Sequence, residues 1–185
     1  MWGGLAYLLA KVFLVCAEGK ENSIWRVRGW IVFLLGIPAW VIVLGKESAW
    51  IAAGVEAGGA PSMLLGIAIA LGLKVSPYTQ KRVRVLAGTL IIIGIGYSWY
   101  DFGGIRSLSQ VLELMVTIGY LAGTYLLAKK DGRGWLWFVL MNTSMGILNM
   151  TQEKWIFFLL QVVSVGFGIY GFRKFKTSKH QSLAS

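Results

Sequence analysis

The chain has little of what a disulfide-bonded, metal-binding or soluble protein needs. Its 185 residues include one cysteine, Cys16, and one histidine, His180. A single cysteine cannot form a disulfide within the chain, and two such side chains are too few for a cysteine or histidine metal cluster. Only 14% of the residues are charged, whereas soluble domains have about 25%. We therefore expect no metal, haem or other cofactor.

Apolar residues are correspondingly abundant. They make up 56% of the chain, and the mean hydropathy is +0.65, whereas soluble domains are roughly 45–50% apolar. The 24 glycines and nine tryptophans are typical of closely packed membrane helices and of side chains at the membrane interface. The composition predicts an all-α integral membrane protein in contact with a lipid bilayer.

Seven apolar segments are long enough, or nearly long enough, to cross a membrane, which requires about 20 residues. They cover residues 1–17, 30–44, 50–73, 85–102, 108–128, 135–150 and 155–172. Segment 1–17 ends in Val15-Cys16-Ala17, where a signal peptidase could cut. It lacks a basic amino-terminal region, however, and Lys11 interrupts its apolar run. We expect a retained helix rather than a cleaved signal, with Lys11 extending to the nearer headgroups.

The basic residues predict how the chain is oriented. Fourteen of the 18 lysine and arginine residues lie in segments 18–29, 74–84, 129–134 and the tail, and three lie in the opposite loops. This bias is typical of cytoplasmic loops. It predicts an amino terminus outside and a carboxyl terminus in the cytoplasm, in a bacterial cytoplasmic (inner) membrane. The net charge of +10 then reflects orientation. We expect no nucleic-acid partner, because no basic-aromatic module is present.

An internal repeat divides the chain. A shift of 105 residues aligns residues 30–66 with 135–171 without a gap, and it places Trp30 on Trp135 and Glu56 on Gln161. Ala17 aligns with Ala128 if the first loop carries about six extra residues. The shift predicts a first three-helix group (1–73), a loop and linker helix (74–106), a second three-helix group (107–176) and a disordered tail (177–185). Such parallel repeats occur in transporters; the alternative is chance matching of apolar helices.

The second repeat contains AGTYLLAKKDGRGWLWFVLMN followed by KWIFFLLQVVSVGFGIYGFRKFK. It resembles the carboxyl-terminal half of the nicotinamide riboside transporter family (PnuC-type), most clearly over residues 123–176. That family has a Trp-x-x-Trp pair and then an asparagine on its sixth helix. Trp135 and Asn142 fit the first tryptophan and the asparagine, Phe138 occupies the second tryptophan position, and Thr124 stands where the family often has glutamine. The resemblance implies seven helices in a SWEET-like 3+1+3 arrangement and vitamin uptake.

Polar and aromatic side chains inside the apolar segments form the predicted substrate site. Trp135, Asn142 and Asn149 are seven residues apart and share one helix face with Phe138. An aromatic ring and two amides suit a flat heterocycle that carries a ribose. The alternatives are that the amides hold helices together and that Trp135 is an interfacial residue.

Glu56 is a carboxylate within an apolar helix, and such a group indicates function by default. It could face a cationic substrate, and the repeat places Gln161 opposite it, so that both could flank one cavity. The complete prediction for substrate binding is Trp135, Phe138, Asn142, Gln161, Glu56 and Asn149.

Pro38 and Pro61 fall inside the predicted second and third helices, where proline favours a kink. The second repeat has no proline at the matching positions, Thr143 and Gly166. We therefore expect the first three-helix group to be the half that moves.

These predictions favour a membrane facilitator of a vitamin or nucleoside-like compound, with nicotinamide riboside as the first candidate. The alternatives are a related carrier of thiamine or riboflavin and a non-transporting assembly or regulatory subunit. We expect no enzymatic activity, because no nucleophile, general base and orienting residue occur together. The sequence leaves the oligomeric state open, with a homo-oligomer among the alternatives.

Overall fold

The structure is a computed structural model that describes residues 2–20, 23–46, 50–102 and 107–184. Within these ranges the secondary structure is helical and contains no strand. Met1 of the predicted first helix and residues 103–106 of the predicted linker segment lie outside the described residues. The helices are α1 (Trp2–Ala17), α2 (Ile24–Lys46), α3 (Trp50–Gly58), α4 (Ala60–Ala70), α5 (Pro77–Phe102), α6 (Leu108–Ala128), α7 (Gly134–Thr151) and α8 (Trp155–Ala184).

Several helices extend beyond the apolar segments that predict them. α2 and α5 begin earlier than predicted because their first turns are polar or charged, and hydropathy does not register such turns as helix. α8 has 30 residues and a length of roughly 45 Å. The tail from Thr177, which we expected to be disordered, is instead helical as far as Ala184. By contrast, α6 begins and ends at the predicted residues.

The predicted third helix consists of two helices. α3 ends at Gly58 and α4 begins at Ala60, with Gly59 between them. Pro61 lies in the first turn of α4, where the missing N–H is tolerated, and it therefore marks a break rather than a kink. Pro38 does lie inside a continuous helix, α2.

Among the residues that the structure describes, three helices are long and apolar enough to cross a membrane, namely α2, α6 and α8. Two shorter apolar runs cover Gly3–Ala17 and Gly54–Ala70. These properties are compatible with a helical membrane protein. The arrangement of seven spans remains a prediction.

The helices pack in two groups. α1 packs on α2, and α2 packs on α3 and α4; we call α1–α4 the first group. α6 packs on α7, and α7 packs on α8; we call α6–α8 the second group. The groups meet where α1 contacts α8 and where α4 contacts α6, and α5 lies mainly against α6.

The same apolar contact occurs in both groups, 105 residues apart. Trp30 and Trp135 are completely buried. A Cβ added to Gly66 would lie 2.5 Å from the Trp30 indole, and one added to Gly171 would lie 2.6 Å from the Trp135 indole. Both positions therefore require glycine so that the helix backbone can lie directly against the tryptophan ring.

The first helices of the two groups also make matching contacts. A Cβ on Gly29 would meet Leu14, and one on Gly134 would meet Leu127. Since the two glycines are 105 residues apart, these contacts align Leu14 with Leu127, an offset of 113 residues. The sequence alignment of Ala17 with Ala128 corresponds to an offset of 111 residues. It therefore differs by two residues from the offset that the contacts show.

Candidate functional site

A cavity of about 140 Å³ lies between the two groups. Every helix of both groups except α4 contributes to its lining, and none of the α5 side chains that the structure describes does so. The cavity is lined by Gly4, Tyr7, Lys11, Trp40, Val55, Glu56, Val116, Thr117, Tyr120, Met141, Asn142, Met145, Phe157, Leu160, Gln161 and Ser164.

Glu56 is held at this cavity by two tyrosines. The Tyr7 hydroxyl donates a hydrogen bond to the Glu56 carboxylate, and the Tyr120 hydroxyl donates to the Glu56 backbone carbonyl at 3.1 Å. Gly59 makes room for Tyr120, since a side chain at this position would collide with the phenol ring. The absence of a side chain at Gly59 thus allows Tyr120 of α6 to approach Glu56.

Lys11 lies at the same cavity, although we expected it to reach the headgroups. Its side chain is only 2% exposed, and its ammonium donates a hydrogen bond to Asn142 Oδ1 at 2.7 Å. A buried polar partner therefore takes the place of water around the charge. This contact connects α1 of the first group to α7 of the second group.

Asn142 is fixed by a second hydrogen bond. Its amide nitrogen donates to the Phe138 carbonyl one turn earlier on α7, so the amide oxygen is the atom that faces Lys11. The Lys11 ammonium also lies 5.9 Å from the centre of the Phe138 ring, within the range of a cation–π contact. Asn142 thus both lines the cavity and joins two helices.

Gln161 lines the cavity from α8 and is partly buried. Gly146 of α7 faces it, since a Cβ added to that glycine would lie 3.5 Å from the Gln161 Cβ. Trp40 lines the cavity from α2, but its indole nitrogen is packed against Gly3 of α1. Gln161 therefore presents a polar group to the cavity from α8.

The structure brings Glu56, Asn142 and Gln161 together at the cavity. The sequence also predicts Trp135, Phe138 and Asn149 at the substrate site. The structure does not place these three residues in the lining of the cavity. Phe138 is completely buried beside Lys11 and contacts Phe33 with tilted rings whose centres are 5.8 Å apart. Asn149 is also buried.

Trp135 belongs to a different polar cluster, which we call the buried ion pair. Arg26 NH2 lies 3.3 Å from Glu18 Oε1, and both side chains are only 3% exposed. Trp135 Nε1 donates to the same carboxylate oxygen at 3.0 Å, and Arg26 donates to the Leu127 carbonyl at 3.4 Å. Glu18 directly follows α1, and the other residues come from α2, α6 and α7, so the cluster holds the two groups together.

Sequence reasoning missed Lys11, Tyr7, Tyr120 and Trp40 as cavity residues. One signal was present: Tyr7 and Lys11 are four residues apart, so they lie on one face of a helix. A lysine in the middle of an apolar helix is also expensive. The tyrosines and Trp40 gave no signal, because apolar helices contain many aromatic residues that only pack.

The fold and the cavity together define an all-helical protein with long apolar helices and, between two helix groups, a mainly apolar cavity that contains a few polar and charged side chains. No protein-family model, curated protein or solved structure matches the chain. The function therefore has to be inferred from the geometry of the cavity and the sequence.

Proposed function

We propose that the protein is a membrane facilitator of a vitamin or nucleoside-like small molecule. The observation that carries this proposal is that both helix groups line one mainly apolar cavity that contains a few polar and charged groups, whereas none of the described side chains of the linker helix α5 lines it. A site between two repeats is the arrangement that alternating access requires. The substrate would bind between the groups, which rock to expose it on either side.

The outer surface supports insertion in a bilayer. Large apolar side chains are exposed along the helices, and a soluble monomer rarely exposes so much apolar surface. The basic residues favour a bacterial inner membrane with the carboxyl terminus in the cytoplasm. The exposed apolar residues include Leu5, Leu9, Leu35, Ile42, Ile92, Ile93, Ile156 and Leu159.

The cavity supports a ring-containing substrate. A volume of about 140 Å³ is close to that of a cavity that holds benzene, roughly 150 Å³. One ring therefore fits in this conformation, and a ribose would require the groups to separate. Glu56 can face a cationic ring, and Gln161 can bond its substituents. Nicotinamide riboside and thiamine both carry a cationic ring, whereas riboflavin has three fused rings and would need the largest opening.

The matched contacts of Trp30 with Gly66 and of Trp135 with Gly171 support two equivalent halves. One observation favours the rival proposal of a non-transporting assembly or regulatory subunit. Asn142 already bonds Lys11 and its own helix, so this amide can serve to hold helices together. Binding and uptake therefore have to be measured separately.

The first experiment measures binding of nicotinamide riboside, thiamine and riboflavin to the purified full-length protein by isothermal titration. We expect nicotinamide riboside to bind, and Gln161→Ala to weaken this binding about tenfold, which corresponds to one lost hydrogen bond. Gln152→Ala is the matched control, because Gln152 is exposed at the end of α7 and outside the cavity lining. The absence of binding by all three compounds would contradict the proposal.

Uptake into proteoliposomes separates a facilitator from a subunit. We expect radiolabelled nicotinamide riboside to equilibrate across the membrane without an imposed ion gradient. Binding without uptake would overturn the transport function and favour a regulatory subunit.

A further inference from the structure

Lys11 is a buried cation whose hydrogen-bonding capacity is only partly used. An ammonium has three N–H donors, and the Lys11 hydrogen bond that the described residues supply is the one to Asn142. The ion pairs Arg26–Glu18 and Arg133–Asp131 lie elsewhere in the described part of the chain, and Lys11 belongs to neither. Two donors therefore remain for a molecule in the cavity.

We propose that Lys11 binds a carbonyl or carboxylate oxygen of the substrate. This proposal rests on the proposed function and narrows its substrate class to planar ring compounds that carry such an oxygen. The ammonium would hold the oxygen at one side of the cavity, and the Glu56 carboxylate would face the positively charged or hydrogen-bond-donating part of the same ring.

The contrast with Arg26 supports a ligand-binding role. Arg26 is buried to the same degree as Lys11, yet the protein supplies it with the Glu18 carboxylate and the Leu127 carbonyl. Lys11 receives one neutral amide oxygen and lies at the cavity. Arg26 Nε also lacks a partner among the described residues, so the difference lies in the counter-charge. Burying a charge without a directly bonded opposite charge is costly, and a cation that serves only helix packing would be expected to have a bonded carboxylate, as Arg26 has.

Lys11 and Glu56 line the same cavity without forming an ion pair. Each is instead bonded to a neutral side chain: the ammonium to Asn142 and the carboxylate to Tyr7. The cavity therefore presents a positive and a negative group that interact electrostatically without direct contact. This arrangement is complementary to a molecule that carries an electron-rich oxygen at one end and a positive or donor group at the other.

The cation is present in one helix group only. The offset that aligns Leu14 with Leu127 also aligns Lys11 with Thr124. The Thr124 hydroxyl contacts carbonyls of its own helix, those of Tyr120 at 2.8 Å and Leu121 at 3.1 Å. A substrate that needs the ammonium therefore binds in one orientation rather than in two related by the repeat.

The test compares two ligands on the unmodified full-length protein in detergent. Nicotinamide riboside and N-ribosylpyridinium have the same cationic ring and ribose, and they differ only in the carboxamide. We expect loss of the carboxamide to weaken binding at least tenfold, because it leaves the Lys11 donors without their acceptor. Equal affinities would overturn the role of Lys11 and leave the proposed function intact. If neither compound binds, both proposals fail.

The same ligand pair is then measured with Lys11→Met, which keeps the length of the side chain and removes the ammonium. We expect the ratio of the dissociation constants of the two ligands, which we call the discrimination, to fall from at least tenfold to less than about threefold. Lys174→Met is the matched control, because Lys174 is a partly buried lysine that donates to the Val15 carbonyl outside the cavity lining. Undiminished discrimination in Lys11→Met would show that another residue binds the carboxamide oxygen and would overturn the proposal. Should this variant fail to fold, the ligand comparison on the unmodified protein decides.

Discussion

The two helix groups share their apolar contacts and differ in their polar ones. Trp30 on Gly66 and Trp135 on Gly171 are the same contact in each group. The indole N–H of Trp135, however, donates to Glu18, while that of Trp30 has no partner among the described residues. Apolar packing depends on shape alone and can be repeated. A polar group at the boundary between the two groups needs a specific partner on the other group. In the part of the chain that the structure describes, such a partner is present for Trp135 but not for Trp30, so the polar contact is not repeated.

A second difference is the backbone of the third helix in each group. The first group has a break at Gly59, between α3 and α4, whereas α8 continues without interruption through the matching position, Ser164. The absence of a side chain at Gly59 makes room for Tyr120 beside Glu56. The first group is therefore adapted to hold a carboxylate at the cavity, and the second group presents Gln161 there instead.

The largest expected difference concerns two arginines near matched acidic residues. The offset of 113 residues aligns Glu18 with Asp131, and these pair with Arg26 and Arg133, respectively. Arg26→Ala leaves the Glu18 carboxylate buried without a cation and should reduce the free energy of unfolding by about 3–5 kcal/mol. Arg133→Ala is the control: its side chain is 73% exposed, so we expect little change in the melting temperature.

Both variants would be compared by thermal unfolding of the purified protein in the same detergent. Equal destabilisation by the two substitutions would contradict the structural difference between the buried and the exposed pair.

An intermediate effect is expected at the two glycines that face the tryptophans. Gly66→Ala and Gly171→Ala each place a methyl group against a completely buried indole ring. We expect each to reduce the free energy of unfolding by about 1–3 kcal/mol, as overpacking does, and by similar amounts because the contacts match.

Gly54→Ala and Gly166→Ala are the controls for these glycines. A Cβ at either position meets nothing within 4 Å, and alanine favours helix over glycine by about 1 kcal/mol. We expect both controls to be neutral or stabilising in chemical denaturation. If only one of the tryptophan-facing glycines proves sensitive, the two helix groups are not equivalent in packing.

The smallest effect on stability is expected for Pro61→Ala. The substitution restores an N–H in the first turn of α4, and we expect the free energy of unfolding to change by less than about 1 kcal/mol. If the break at Gly59 allows the first group to move, nicotinamide riboside uptake should slow several-fold while its binding affinity stays within about twofold. Pro77→Ala, at the start of α5, is the control outside both groups. Unchanged uptake kinetics in Pro61→Ala would count against the first group as the moving half.

Much of the fold could be predicted from the sequence because its signals are local. An apolar run of sufficient length predicts a helix, and α6 has the predicted bounds. The shift that aligns Trp30 with Trp135 also aligns Gly66 with Gly171, and the structure has these residues in matching contacts. The helical class follows from the composition, since long apolar segments with few charges satisfy their backbone hydrogen bonds internally.

The candidate site could be predicted only in part. Glu56, Asn142 and Gln161 stand out because a polar side chain in an apolar run is visible in the sequence. Trp135 fits the motif equally well, yet its indole N–H bonds Glu18 away from the cavity lining. A motif gives the residue type and spacing, but it does not give the partner on another helix.

The sequence by itself determined that this protein consists of apolar helices with a repeated contact pattern, because helix formation and periodicity depend on neighbours along the chain. Only the tertiary structure decided which polar groups share the cavity. Lys11 and Asn142 are 131 residues apart in the chain, and their contact depends on how α1 packs across the boundary between the two groups. Whether a buried charge faces solvent, a partner or a cavity is fixed by that packing.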